Sequence, residues 1–453
     1  MSVIDLIAQR VGDHRFFSEL AVTRAKQAII DTIGCIVAGA FDEATQSVAT
    51  AFQRQIAATG DAFVIGRGRG TPSLAALVNG TAAHCLDFDD NFHPARAHAS
   101  AVLVPALLAV ATSSNDITGR QFVEAYLAGL EAQAAVGFGV NPSHYTAGWH
   151  GTSTVGCIGT AAGIAKLLGG DVSTIARAMS IAVSFAAGPK AQFGTPAKPL
   201  HAGMAARNAV EAGYLAFTGM TGRNDVLEGP QGFLELFGGA TPSGWEGFCF
   251  RDANIIETRG LVTKLHPCCG STHRAIDAVI ELQNQSGFHP DNVEKIEIKV
   301  GIAAARNLAY PFPRDEMQAR FSMQYCVAVG LLYHKLRLSD FSSESLKRNN
   351  VMKLMPRISM TSYTTEEEVA IERLPHLITI FLSDGTILSQ ERLHARGSIE
   401  IPLTEEERYL KFKDCLEWGR STIPPGTLYQ RLSNIEESAS ISETLSQVMG
   451  IGH

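Results

Sequence analysis

Near residue 290 the spacing of apolar residues changes from one helical turn to every second position, which divides the chain into regions of different fold class. Before that point the pattern is helical. Val22, Ala25, Ile29, Ile33 and Ile36 fall on one stripe of a helix over 22–37. Thr71-Pro72 supplies an N-cap and an N1 proline for a second helix carrying Leu74, Leu77 and Val78. Further helices are predicted over 122–130, 155–168, 172–187 and 202–217, with Gly169-Gly170 and Gly219 placed to stop two of them. Beyond the change, 293–300 alternates apolar and charged residues as a strand does. Residues 377–388 form two strands around an Asp384-Gly385 turn. Helices over 321–336 and 342–354 lie between these, and after Thr404 the chain returns to helix or frayed helix up to its end. The pattern predicts a mainly α protein: a large all-helical domain of residues 1–264 and 401–453, with an inserted, smaller α+β domain of residues 265–400.

The 453 residues are too many for one ordinary core, and 45% apolar with 18% charged residues is a globular composition. Forty-two glycines and frequent alanines allow helices to approach closely. A formal net charge of −7 argues against nucleic acid or an anionic membrane as partner. A small anionic substrate remains open to it, because Lys198, His201, Arg207, Lys264, His266 and His273 could form a local cationic pocket. No N-terminal signal and no membrane-length apolar run are present, so a cytoplasmic protein is expected. Eight cysteines show neither a secreted framework nor a zinc or iron–sulfur spacing, and reduced thiols are expected.

Four short segments gather histidine, lysine and aspartate: HCLDFDDNFHPARAH (84–98), GWHGTSTVG (148–156), KPLHAG (198–203) and KLHPCCGSTH (264–273). Groups that titrate near neutral pH are the tools of proton transfer, so these clusters point to an enzyme with one site assembled from separated segments. Asp87, Asp89 and Asp90 crowd one turn; they are solvated carboxylates at a helix end, partners of His93 and His98, or ligands of a divalent metal. DxDD carries no ligand spacing specific to a metal, and no metal is expected. His150 precedes a helix whose first N–H groups could receive a carboxylate between Gly151 and Ser153, or it simply caps that helix. Tyr145 can reach the same space or pack in the core. Lys198 lies between Pro196 and Pro199 in a turn ahead of the helix containing Arg207. It is a carboxylate ligand, a base if buried, or a solvated loop lysine. His266 and His273 flank Cys268-Cys269, which allows an activated thiol or two buried thiols. IGRGRGT (65–71) meets neither nucleotide fingerprint.

Together these motifs resemble the MmgE/PrpD family. The resemblance runs through DTIGCIVAGA (31–40), ALVNGTAAHCLDFDD (76–90), GWHGTSTVG, AKLLGGD, KPLHAGMAARNAVEAG (198–213), HPCCGSTHRAIDA (266–278) and ARFSMQYCVA (319–328). It implies a helical large domain and a smaller α+β lid with the active site in the cleft between them. It also implies cofactor-free chemistry on small di- or tricarboxylates, and a homodimer. The polar positions matching the family's site are Asp87, His98, His150, Lys198 and His273, with Tyr310. Two departures stand out. His98-Ala99-Ser100 replaces His-Pro-Ser with one extra residue after Asp87, which makes His93 a rival to His98. Cys269 stands where decarboxylase-like members have histidine.

The expected chemistry is α-proton transfer, most closely the epimerisation of an imino- or aminodicarboxylate such as iminodisuccinate. The alternatives are a hydro-lyase of the 2-methylcitrate type, a decarboxylase of the cis-aconitate type and a catalytically silent carboxylate-binding protein. Lys198 and Tyr145 are the expected bases, and His98 and His150 the orienting groups or substitutes. Asp87 is expected to fix a histidine. Lys264 and His273 are expected to bind carboxylates, with His266, Tyr310 and His93 as further candidates.

Overall fold

The computed structural model describes residues 1–13, 17–57, 60–246, 254–371 and 374–446. The expected helical end over 447–453 and Cys249 lie outside the described residues. The chain divides into two compact units. One comprises Met1–Cys85, Asp89–Leu261 and Arg408–His453, the other Leu86–Phe88 and Val262–Glu407.

The first unit is built from helices with very few exposed faces. Thr71 accepts the Leu74 N–H through its hydroxyl at 3.3 Å, and the helix Pro72–Cys85 starts where the Thr-Pro pair predicted. Every residue of this helix from Leu74 to Cys85 is buried, as is the whole of Ala99–Thr112, so both run through the core. Thr118 and Gln121 form a capping box that starts Gly119–Val140, longer at both ends than its apolar stripe suggested. Thr154–Leu167 and Val172–Val183 follow, the first stopped by Gly169 at φ 77°. The unit also holds a short hairpin of β1 (Ala62–Val64) and β2 (Gly68–Gly70), which the helical pattern did not announce.

One helix crossing sets the chemistry. Pro72–Cys85 packs most extensively against Ala197–Phe217. At their crossing a Cβ on Gly203 would fall 2.3 Å from the Leu77 carbonyl oxygen, and one on Gly80 would fall 2.8 Å from the Gly203 Cα. Backbones this close carry the following turn of one helix, with His84, towards the opening turn of the other, with Lys198 and His201. Lys198 is therefore helical, not part of a preceding turn, because Ala197–Phe217 begins one residue before it. Pro199 does not prevent this, since N–H groups of a first helical turn have no intrahelical acceptor.

The second unit contains a four-stranded sheet in the order β4-β3-β5-β6, with β3 Val293–Val300, β4 Ile358–Ser362, β5 His376–Leu382 and β6 Ile387–Arg392. β3 pairs antiparallel with β5 and parallel with β4. Val293, Ile296, Ile298 and Val300 bury the core face of β3, and the hairpin turn has Gly385 at φ 86°. Helices Gly270–Ser286 and Met323–Tyr333 pack on each other in this unit. Strand β4 had no signal: only Ile358 of its residues is buried, as suits an edge. The helix expected over 342–354 is a 3-10 turn, Ser345–Lys347, followed by Asn349–Leu354. There the Ser342 hydroxyl accepts the Ser345 N–H, a local bond that competes with continuous helix. No helix among the described residues is long and apolar enough to cross a membrane.

Candidate active site

The helical unit collects four imidazoles and one ammonium group in its interior. Asp89 Oδ2 lies 2.8 Å from His84 Nδ1 and 3.2 Å from His98 Nδ1, so one carboxylate oxygen holds both rings. The His84 ring centroid is 4.4 Å from that of His98 and 5.6 Å from that of His150. His150 in turn meets His201, Nδ1 to Nδ1 at 3.2 Å, and Phe193 stands edge-on to its ring at 5.0 Å. Lys198 is buried with its Nζ 5.2 Å from the Phe193 ring centroid, and its charge acts on His84, His150 and His201.

Glycine again explains the placement. A Cβ on Gly151 would come within 2.6 Å of the Ala95 carbonyl oxygen, so the GWHG turn lies directly on the loop before His98. The Thr152 hydroxyl accepts the His98 N–H at 3.0 Å and ties the two segments together.

Burial decides the charge state. It pushes His84 down to about 3, with Lys198 and His98 adding to the effect against the pull of Asp89. His150 is driven well below the usual imidazole range by burial and by the charges of its neighbours, and His201 is lowered by burial and Lys198. Burial opposes the ionisation of Asp89, but the two imidazoles more than offset it and hold that carboxyl well below its ordinary range. At neutral pH this is an anionic carboxylate bonded to the neutral His84 ring, with the neutral His150 and His201 rings and a lysine nearby. Beneath it, burial and the charges of Asp89 and Asp31 push Asp90 up to about 7. Asp90 Oδ1 accepts the Ser100 N–H at 3.3 Å, and the Ser100 hydroxyl meets the Tyr126 hydroxyl at 2.7 Å.

Several expectations change. His93 is exposed on a single 3-10 turn, whereas half-buried His98 joins the cluster. Asp87 pairs with Lys264, and the carboxylate that faces His84 and His98 is Asp89. Tyr145 is half-buried, with Lys190 Nζ 3.5 Å from its ring centroid and donating to its carbonyl oxygen at 3.3 Å, which places its ring under a different lysine from Lys198. At the proposed carboxylate seat of Gly151–Ser153, His150 O accepts the N–H groups of Ser153 and Thr154. His84 and Phe193 had been given no role, Asp89 only that of one of three possible histidine partners, and His201 only that of a general cation. Its spacing of three residues from Lys198, which puts both on one helix face, was the usable signal.

The second unit holds a different polar cluster. Lys264 Nζ donates to the Asp87 carbonyl oxygen at 2.8 Å and lies 3.1 Å from Asp87 Oδ2, with both side chains buried. Asp87 adopts φ 51°. His266 Nε2 is 3.3 Å from Asp277 Oδ1, and Asp277 Oδ2 accepts the Arg396 N–H at 2.8 Å and faces Arg392 at 3.6 Å. His273 Nε2 donates to the Cys268 carbonyl oxygen at 3.2 Å, and its ring centroid is 5.1 Å from that of His266. Cys268 sits 3.1 Å from the Thr272 hydroxyl; burial works to raise its thiol, but hydrogen bonds with Cys326 and His273 bring it well below the usual range. Tyr310 packs, half-buried, against the apolar core of this unit. All seven cysteines among the described residues are free thiols.

His84, Asp89 and His98 offer donor atoms within 4.8 Å of one another, enough to chelate a divalent ion. The donor set fits such an ion poorly, because both Nδ1 atoms already face Asp89 and the Lys198 charge bears on the same cluster.

A mainly helical unit with a buried imidazole–lysine centre is joined in one chain to an α+β unit. Residues 5–246 match the MmgE/PrpD N-terminal domain and residues 266–422 the MmgE/PrpD C-terminal domain, and the chain belongs to this family of enzymes. It is similar to cis-aconitate decarboxylase of Mus musculus, 28% identical over 444 residues that cover 94% of this chain and 89% of the relative. The Homo sapiens enzyme of that name is also 28% identical, with 94% and 90% covered. That of Aspergillus terreus is 27% identical over 457 residues, with 94% and 88% covered.

Proposed function

We propose that the chain catalyses cofactor-independent proton transfer at a carbon next to a carboxylate of a small di- or tricarboxylate, with epimerisation of an imino- or aminodicarboxylate such as iminodisuccinate as its reaction. The observation that carries this reading is the neutrality of His84, His150 and His201 around the buried Lys198. Neutral imidazoles accept protons, and an adjacent ammonium stabilises the enolate-like charge that builds as the C–H bond breaks. The proton leaves carbon to a base on one face, and a proton returns to carbon from a donor on the other.

In this scheme His98 and His150 exchange the proton with carbon while Lys198 holds the substrate carboxylate or serves as the second base. Tyr145 is kept as the alternative second base. Lys264, His266 and His273 are assigned to substrate carboxylates, with Asp87 as counter-ion of Lys264, and Tyr310 is a further candidate. A homodimer is the proposed assembly.

The likeness to cis-aconitate decarboxylases favours a second reading, loss of carbon dioxide from such a substrate. That reaction needs a proton donor at carbon, for which the neutral rings are less suited than Lys198. Incubation in D2O with iminodisuccinate stereoisomers, citrate, methylcitrate and cis-aconitate, followed by proton NMR, separates the readings. Deuterium at the α-position with stereoisomer interconversion supports epimerisation, and Lys198→Ala should abolish that exchange. Carbon dioxide release or new vinyl signals would replace epimerisation with the lyase reading.

A further inference from the structure

We propose that Asp89, with His84, is the positioning pair for His98: a buried His–Asp–His unit in which one carboxylate oxygen fixes both Nδ1 atoms and turns Nε2 of His98 into its working atom. The inference rests on the proton-transfer reading for its purpose, but its geometry stands alone.

Asp89 Oδ2 is 2.8 Å from His84 Nδ1 and 3.2 Å from His98 Nδ1. An ionised carboxylate only accepts, so the neutral His84 ring bonded to it carries its proton on Nδ1 and keeps a lone pair on Nε2; the proposed unit extends this tautomer to His98, whose Nδ1 faces the same oxygen. The two rings are not equivalent. The His84 side chain is fully shielded, Lys198 bears on it, and its Nε2 has no hydrogen-bond partner among the described residues. His98 retains 15% side-chain exposure and starts the helix Ala99–Thr112. His84 is therefore a fixed N–H donor that stops Asp89 from rotating, and His98 is the ring able to take up and release a proton. When His98 gains a proton at Nε2, Asp89 faces the resulting charge directly, while His84 supplies none. The groups facing His98 are Asp89, His84 and His150, with Lys198 and His201 acting on the two rings behind it.

The test uses full-length protein labelled with 15N in its histidine rings, with long-range NMR correlations reporting the tautomer of each ring and His98→Asn giving the assignment. The wild type should show His98 and His84 as Nδ1–H tautomers near neutral pH. Asp89→Asn should shift His98 towards the Nε2–H form and lower its titration midpoint by about one pH unit or more. His84→Gln should leave the tautomer intact. An Nε2–H tautomer of His98 in the wild type overturns the proposal without any variant, so a failure of Asp89→Asn to fold does not protect it. An unchanged His98 in folded Asp89→Asn overturns it equally. If the tautomers behave as expected but neither iminodisuccinate nor cis-aconitate is turned over, the positioning pair stands and the reaction reading falls.

Discussion

Asp87 and Asp89 are separated by a single residue, yet they belong to different units and solve the burial of a carboxylate in different ways. In the helical unit Asp89 is compensated by two imidazole rings that face one of its oxygens, groups that themselves exchange protons. In the α+β unit Asp87 is compensated by the ammonium of Lys264, and Asp277 by the Arg396 backbone N–H, Arg392 and His266. A lysine or arginine partner fixes a charge; an imidazole partner makes it movable. The partners of the buried carboxylate can exchange protons in the helical unit and are held as charges in the α+β unit.

Loss of the ammonium set among the imidazoles should produce the largest effect. Removing the central ammonium by Lys198→Ala is expected to lower the rate of α-deuterium exchange roughly 10²–10⁴-fold while the unfolding midpoint changes little. A variant that keeps its rate would place the chemistry elsewhere. Breaking the fixed charge should act the other way round. Lys264→Met leaves Asp87 buried and uncompensated, and should destabilise the protein by about 3–5 kcal/mol in urea unfolding. Adding Asp87→Asn should recover most of that loss, because no charge then remains buried. A double variant as unstable as the single one would show that the pair is held by packing rather than by charge.

The halves of this comparison were not equally legible in the sequence. The mainly α class with an α+β part, strand β3, the Asp384-Gly385 hairpin and the Thr71-Pro72 helix start all follow from periodicity and capping, which act locally. The division of labour between Asp87 and Asp89 does not. It depends on a backbone at φ 51° at Asp87 and on the Gly80–Gly203 crossing that brings His84 to Lys198, and both are set by tertiary packing. Lys198 was picked out for its prolines, although its place among the imidazoles comes from the first turn of Ala197–Phe217. Strand β4 escaped notice because an edge strand with one buried residue carries no alternation.

Asp90 sharpens the contrast, since it is an acid that the helical unit keeps protonated instead of pairing. Its folded pKa, about 7, lies above the ordinary 3.8, so the folded state binds more protons than the unfolded state between those values. Stability from this group is present below pH 3.8 and is lost as pH rises towards 7. Asp90→Asn should therefore stabilise the protein by an amount that grows from near zero at pH 4 to about 4 kcal/mol at pH 8, since each tenfold change in proton affinity is worth ~1.4 kcal/mol. A gain independent of pH would mean that Asp90 is not protonated in the fold.

His144 gives a smaller effect of opposite sign. Burial lowers it to about 4, against the bond from its Nδ1 to the Phe237 carbonyl oxygen at 2.7 Å, and its Nε2 meets the Thr154 hydroxyl at 2.7 Å. The ring is thus neutral in the fold, while the unfolded chain protonates it below pH 6.5. Its contribution is complete above pH 6.5 and is lost as pH falls towards 4, amounting to roughly 2–3 kcal/mol at the acid end. His144→Gln, which keeps a donor and an acceptor but cannot titrate, should cost stability at pH 7 and cost less at pH 4. The difference between the two urea midpoints isolates the effect of burial on the charged ring. Parallel losses at both pH values would mean that hydrogen bonding, not exclusion of charge, is what the helical interior demands of its histidines.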